Sequence, residues 1–100
     1  MKKVVLFCVG GMSTTMLVKK MQAAAEAEGL EYDIAAHALS EMDTYGPEAD
    51  IIILGPQVKY KLKDTQAKCA DKPVEAIEMS DYGMMKGDKV VAHVKEVLGD

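Results

Sequence analysis

The residues of this chain best suited to chemistry stand together in "VLFCVGGMSTTML", residues 4–16. Cys8 comes where an apolar run stops, Gly10 and Gly11 follow, and Ser13, Thr14 and Thr15 supply three hydroxyls. A thiolate is a nucleophile. Paired glycines let a backbone turn sharply and bring its N–H groups inward. When a helix begins directly afterwards, its unpaired N–H groups and the positive end of its dipole favour an anion. Residues 9–15 (Val9, Gly10, Gly11, Met12, Ser13, Thr14 and Thr15) therefore read as a phosphate cradle with a thiol at its entrance. That combination points to covalent phosphorylation of Cys8. Two plainer readings compete with it, because a cysteine is often only a small buried hydrophobe and Gly-Gly only a tight turn. The position of Cys8 at a strand's carboxyl end, ahead of the glycines, favours chemistry.

Two other uses of such a loop are tested by what surrounds it. A low-molecular-weight phosphatase or arsenate reductase needs Cys-x5-Arg, the guanidinium clamping the phosphate, and an Asp as general acid. Counting from Cys8 reaches Thr14, with no arginine near it and no Asp-Pro in the chain. A phosphocysteine held without clamp or acid would persist and be passed to another acceptor, so the loop reads as a relay rather than a hydrolase. Flavodoxin-like proteins cradle a flavin phosphate in a similar loop. One Phe, four Tyr and no Trp make a stacked isoalloxazine site a poor fit.

The elements that must position this loop follow from periodicity. "KKVVLF" (2–7) and "ADIIILG" (49–55) are continuous apolar runs, the mark of strands buried on both faces. "EYDIAAHAL" (31–39) and residues 73–78 are wetter strands suited to sheet edges. Helical spacing covers 14–28, closed by Gly29 as a C-cap, then 58–70, where Val58, Leu62, Thr65 and Cys69 share a stripe, and a last helix from about 87. Residues 40–48 are polar with a Gly-Pro break and room for a turn of helix, and 79–88 read as a loop. Strands alternating with helices predict an α/β fold with a four-stranded parallel sheet of order 2-1-3-4, flanked by helices, flavodoxin-like with a phosphatase-like loop. In that order the first and third strands are neighbours, and their carboxyl ends flank the switch point where open α/β sheets bind ligands. Cys8 falls there.

The whole composition narrows the classes. One hundred residues, 49% apolar and 28% charged, suit a single domain spanning 1–100 with one core. The apolar runs are too short for a membrane span or a signal peptide, so a cytoplasmic protein is expected. A net charge of −4, with no basic stripe interleaved by aromatics, argues against nucleic acid. "KYKLK" (59–63) reads as the solvated face of a helix. Two cysteines and two histidines, scattered, form neither a disulfide framework nor a zinc site, and no cofactor is expected.

Four stretches carry a resemblance: "CVGGMSTTMLVKKM" (8–21), "DIIILGPQVKY" (50–60), "KPVEAI" (72–77) and "DYGMMKGD" (81–88). In order and spacing they resemble the enzyme IIB component of the bacterial sugar phosphotransferase system, in its lactose, cellobiose and chitobiose family. The resemblance implies a phosphocysteine at Cys8 and a phosphate loop at 9–15. It implies a IIA component whose phosphohistidine is the donor, and a membrane-embedded IIC component holding the acceptor sugar, met transiently at the inner face of the membrane. It also implies a separate subunit without IIA or IIC segments. Which disaccharide is carried stays open, since specificity would lie in IIC.

Several further residues have two readings each. Gln57, after the third strand, either faces the site or a partner or is a polar loop residue. Tyr82 either lines the same rim or packs on the surface. Met12, Met84 and Met85 are either an adaptable docking rim or ordinary packing. His37 and His93 read as strand-face and helix-flank residues rather than phosphoacceptors, and Cys69 as core. A non-catalytic anion-binding module and a regulatory relic that docks partners without turnover are the competing functions.

Overall fold

The fold was analysed in a computed structural model, which describes residues 2–8 and 12–99 and, within the first helix, side chains from Thr15 onward. Strand β1 (Lys2–Cys8) leads to helix α1 (Met12–Ala27), and β2 (Tyr32–Ala38) to a 3₁₀ turn (Leu39–Glu41) and the short α2 (Met42–Tyr45). Strand β3 (Ile51–Leu54) leads to a 3₁₀ segment (Pro56–Lys61) and α3 (Leu62–Lys68). Strand β4 (Val74–Ala76) is followed by α4 (Met79–Gly83) and α5 (Gly87–Leu98). All strand pairs are parallel and the order is β2-β1-β3-β4, as the alternating pattern predicts. The two continuous apolar runs are central and the wetter strands are edges, because only a central parallel strand is covered on both faces.

Strand alternation divides the core into two layers. Val4 and Leu6 of β1, with Ile51 and Ile53 of β3, meet Leu17, Met21 and Ala25 of α1 and Val90, Val91 and Val94 of α5. Val5 and Phe7, with Ile52 and Leu54, meet Met42, Val58 and Cys69 on the other side. Helix α1 ends as its sequence predicts. Gly29 is left-handed (φ 72°), Leu30 N–H donates to Ala25 C=O at 2.9 Å and Gly29 N–H to Glu26 C=O at 3.1 Å, and Leu30 packs on the core. This is a Schellman closure.

The strands β2, β3 and β4 are shorter at their ends than the periodicity reading, and four further differences bear on the site. Strand β1 runs one residue further, so Cys8 is its last member, because the β1–β2 ladder continues to the Cys8–Ala38 pair. Helix α1 starts at Met12 rather than 14, the polar first turn of a helix carrying no apolar stripe. The helix expected over 58–70 is a 3₁₀ segment, itself kinked at the buried Val58 (φ −117°, ψ 19°), followed after Lys61 (φ −90°, ψ 3°) by α3. The loop expected over 79–88 holds α4, which at five residues is too short to show a period.

Helix α5 sits unusually close to α1. A Cβ on Gly87 would lie 2.6 Å from the backbone C of Lys20 and the N of Met21. Backbone cannot yield as a side-chain tip can, so Gly87→Ala must force the helices apart. We expect it to lower stability by about 1–3 kcal/mol in urea unfolding. Gly83→Ala, where nothing lies within 4 Å of the added carbon, should stay within about 0.5 kcal/mol of the parent.

Candidate phosphoryl-transfer site

Cys8 owes its place to the register of the two central strands. Phe7 pairs with Leu54, and the next residue of the third strand's exit, Gly55, donates its N–H to Phe7 C=O at 2.9 Å. The thiol side chain shares the alternation of Val4 and Leu6 and so points toward the α1 layer, where α1 begins four residues later. Cys8 is 4% exposed, a buried strand-end thiol rather than one standing open at a loop mouth.

Gly55 and Gln57 shape the other wall. A Cβ at Gly55 would lie 3.3 Å from Cys8 Cβ and 3.0 Å from Gln57 Oε1. The Gln57 carboxamide oxygen therefore lies over Gly55, although the residue as a whole is exposed. Gly55 is the residue that sequence reasoning passed over; its signal was its place directly after the "IIIL" run, where close backbone approach demands glycine.

The predicted cradle is described in part. Val9, Gly10 and Gly11 lie outside the described residues, as do the side chains of Met12, Ser13 and Thr14. The backbone from Met12 is helical, so the first turn of α1 offers the N–H groups expected of it, and Thr15 is exposed there. No arginine occurs anywhere in the chain to complete a phosphatase clamp.

The remaining candidates separate. Met84 is 68% exposed, after β4 at the same end of the sheet. Met85 and Tyr82 pack against the α1–α5 core, so for these two the packing reading stands; Met85 is held at φ 54° in the turn into α5. Met16 (54%), Tyr60 (74%) and Met79 (71%) are exposed apolar residues on that end that the sequence reading did not single out. Cys69 is 8% exposed in the layer opposite that of Cys8, a packing thiol. His37 stacks on Tyr45 (centroids 3.6 Å apart, 7° between planes), and His93 Nε2 lies 2.7 Å from Glu75 Oε1 on β4. Both are engaged away from Cys8, as strand-face and helix-flank residues.

An open parallel sheet of order β2-β1-β3-β4 flanked by helices, with Cys8 ending its first strand and a helix beginning four residues later, defines the class of doubly wound α/β domains. The comparisons with known proteins make the class specific. Residues 3–93 match the family "PTS system, Lactose/Cellobiose specific IIB subunit", and the chain belongs to that family. It is 40% identical to the galactose-specific EIIB component of Lactococcus lactis subsp. cremoris, over 97% of this chain and 96% of that protein. It is equally identical, with the same coverage, to the cellobiose-specific EIIB component of L. lactis subsp. lactis. The oligo-beta-mannoside-specific EIIB component of Bacillus subtilis is 40% identical over 89% of this chain and 88% of that one. Among solved structures, the lactose-specific IIB domain of Streptococcus pneumoniae superposes with a TM-score of 0.78 at 22% identity, covering 96% of each chain. The cellobiose-specific IIB protein of Borrelia burgdorferi gives 0.74 at 30% identity, over 91% of this chain and 85% of that one. The protein is thus a sugar phosphotransferase component, acting in phosphoryl transfer during sugar uptake. Among the described residues no helix is long and apolar enough to cross a membrane.

The Gly55 contact makes a direct prediction. Gly55→Ala adds a methyl where Gln57 Oε1 and Cys8 Cβ converge, and Gln57 is the part free to swing away. The expected result is a loss of about 1 kcal/mol, with the Gln57 side-chain amide signals displaced in an NMR spectrum and the core signals kept.

Proposed function

We propose that Cys8 is the phosphorylated residue of this IIB component, receiving phosphate from a phosphohistidine of a IIA partner and passing it to a sugar held by a membrane IIC partner. The observation that carries the proposal is the position of Cys8 at the β1 end, between the exit of β3 and the start of α1. In the first step the phosphorus–nitrogen bond of the donor breaks, its electron pair returning to the imidazole, and a phosphorus–sulfur bond forms on the Cys8 thiolate. In the second, a sugar hydroxyl attacks phosphorus, gives up its proton to a base on the acceptor side, and sulfur leaves as thiolate. A thiolate is a good leaving group and needs no general acid. Backbone N–H groups of residues 9–15 and the hydroxyls of Ser13, Thr14 or Thr15 stabilise the charge on the equatorial oxygens. Gln57, whose carboxamide oxygen lies over Gly55, is proposed as a rim residue of the same site.

The partners follow from the family, whose IIB members work between IIA and IIC. The sugar is proposed as a disaccharide of the cellobiose, chitobiose or lactose class. Relatives of equal identity carry the names galactose, cellobiose and oligo-beta-mannoside. A cytoplasmic location, with transient contact at the inner membrane face, belongs to the same reading. The exposed Met84, together with Met16, Met79 and Tyr60, offers the partners an apolar rim.

Mass mapping after incubation with phosphorylated IIA should find one phosphoryl group, on Cys8; finding it on His37, His93 or Cys69 overturns the assignment. Cys8→Ser should keep the fold and abolish transfer. Cys69→Ala should transfer normally and lose roughly 1 kcal/mol or more of stability, as a buried truncation.

The lack of arginine and acid has its own consequence. Phosphorylated protein should lose phosphate to water far more slowly than to a IIC–sugar complex, and the unmodified protein should not turn over a small aryl phosphate. Thr14→Arg restores the phosphatase spacing but supplies no carboxylate to orient and deprotonate an attacking water, so phosphate release followed over time should remain slow. Rapid turnover by the parent protein would identify a hydrolase instead.

A further inference from the structure

The sheet has two outer strands, β2 and β4, and each turns a row of backbone groups away from its neighbour. Hydrogen bonding tells which residues own that row. Lys2 N–H donates to Glu31 C=O at 3.2 Å, so in β2 the odd-numbered residues face β1 and Tyr32, Ile34, Ala36 and Ala38 face outward. The two edges differ in length. Strand β4 has three residues. Strand β2 has seven, with no proline or lysine among them and only Asp33 carrying a fixed charge. A long edge of that kind is a template for another strand.

Gln22, half-buried on α1, occupies part of that template. Its Nε2 donates to Tyr32 C=O at 3.1 Å and its Oε1 accepts the Ile34 N–H at 3.4 Å. In a parallel ladder these are the two bonds that one residue of a further strand, lying opposite Asp33, would make with β2. The carboxamide thus stands in for a piece of a fifth strand, one amide in place of a neighbour's main chain. At the other end of β2, Glu41 Oε1 accepts the Ala38 N–H at 3.1 Å. Among the described residues, the Ile34 C=O and the N–H and C=O of Ala36 are left without a hydrogen bond. That gap is shorter than an ordinary strand. Gln66 on α3 repeats half of the arrangement at the opposite edge, its Nε2 donating to the outward Val74 C=O of β4 at 3.2 Å.

We infer that Gln22 guards the β2 edge, and that the surface it closes is one where a second copy of this chain would otherwise pair, β2 against β2. A two-fold axis lets a strand edge pair with its own copy, so the chain itself is the partner this edge always meets. Ala38 ends the same edge and is the ladder partner of Cys8, so an added strand would bring a second chain beside the thiol. The guard keeps that end of the sheet clear. The inference does not rest on the proposed relay, and its test needs neither donor nor sugar.

Sedimentation equilibrium of the full chain over a range of concentrations measures the association, and circular dichroism shows whether each variant is folded. The parent is expected to be monomeric. Gln22→Ala should dimerise, its dissociation constant lowered by about tenfold or more, because a net hydrogen bond is worth about a fivefold factor and two groups are uncovered on each copy. Gln66→Ala also removes a glutamine bound to an edge strand, but β4 is too short to pair, so that variant should stay monomeric. Amide hydrogen exchange locates the contact. The Ala36 N–H should exchange freely in the parent and become protected in associated Gln22→Ala. Should Gln22→Ala fail to fold, Gln22→Met, which keeps the length of the side chain without its amide, carries the same test. A folded variant lacking the amide that remains monomeric overturns the inference. So does association that leaves Ala36 unprotected, or that Gln66→Ala shows equally. A parent that already dimerises with Ala36 protected overturns it as well, since the edge would then be open with Gln22 in place.

Discussion

The constraint on which the rest depends is the parallel pairing of β1 with β3, closed by the hydrogen bond from Gly55 N–H to Phe7 C=O. This bond holds the end of β3 against the residue before Cys8. It makes the two strand ends level, so that the chain leaving β3 passes beside the thiol before turning into the 3₁₀ segment. A side chain at that crossing would press on Cys8 and the Gln57 carboxamide together, which glycine avoids. The pairing depends in turn on the two apolar runs that bury both strands in two core layers. Hydrophobic burial of the two strands thus positions the proposed site.

Strand alternation then sorts groups of the same type into different roles. Cys8 and Cys69 are both thiols and both buried, yet they fall in opposite layers. One ends a central strand under the start of a helix; the other closes a helix end against Met42 and Val58. The histidines are sorted the same way, His37 into a stack with Tyr45 and His93 into a pair with Glu75. A nucleophile is made by position, and Cys8 has the position that the proposed relay requires.

The close approach of α5 to α1 through Gly87 completes the scaffold. Helix α1 carries the first turn that faces the proposed phosphate, and its own stripe of Leu17, Met21 and Ala25 locks it to the sheet from below. Contact with α5 from the side fixes it further. A rigid α1 keeps its N–H groups aimed at one point, which is what stabilising a transferring phosphoryl group demands. The rim above remains adaptable, with methionines and a tyrosine exposed where two different partners are proposed to meet it in turn.

The sequence by itself determined the strand order, the central and edge strands, the Gly29 closure and the candidate nucleophile. These depend on local signals: continuous against alternating apolar runs, a glycine at a helix end, a cysteine before paired glycines. Family membership was legible for the same reason, since four stretches span nearly the whole chain. Only the tertiary structure decided that Cys8 belongs to β1 and is buried, that the Gln57 carboxamide lies over Gly55, that the 3₁₀ segment kinks at Val58, and that Tyr82 and Met85 pack on the core while Met84 stands out. Each of these depends on which residues of distant segments become neighbours. A register bond between residues 7 and 55, or a ladder reaching from residue 8 to residue 38, leaves no trace in the periodicity of either segment alone.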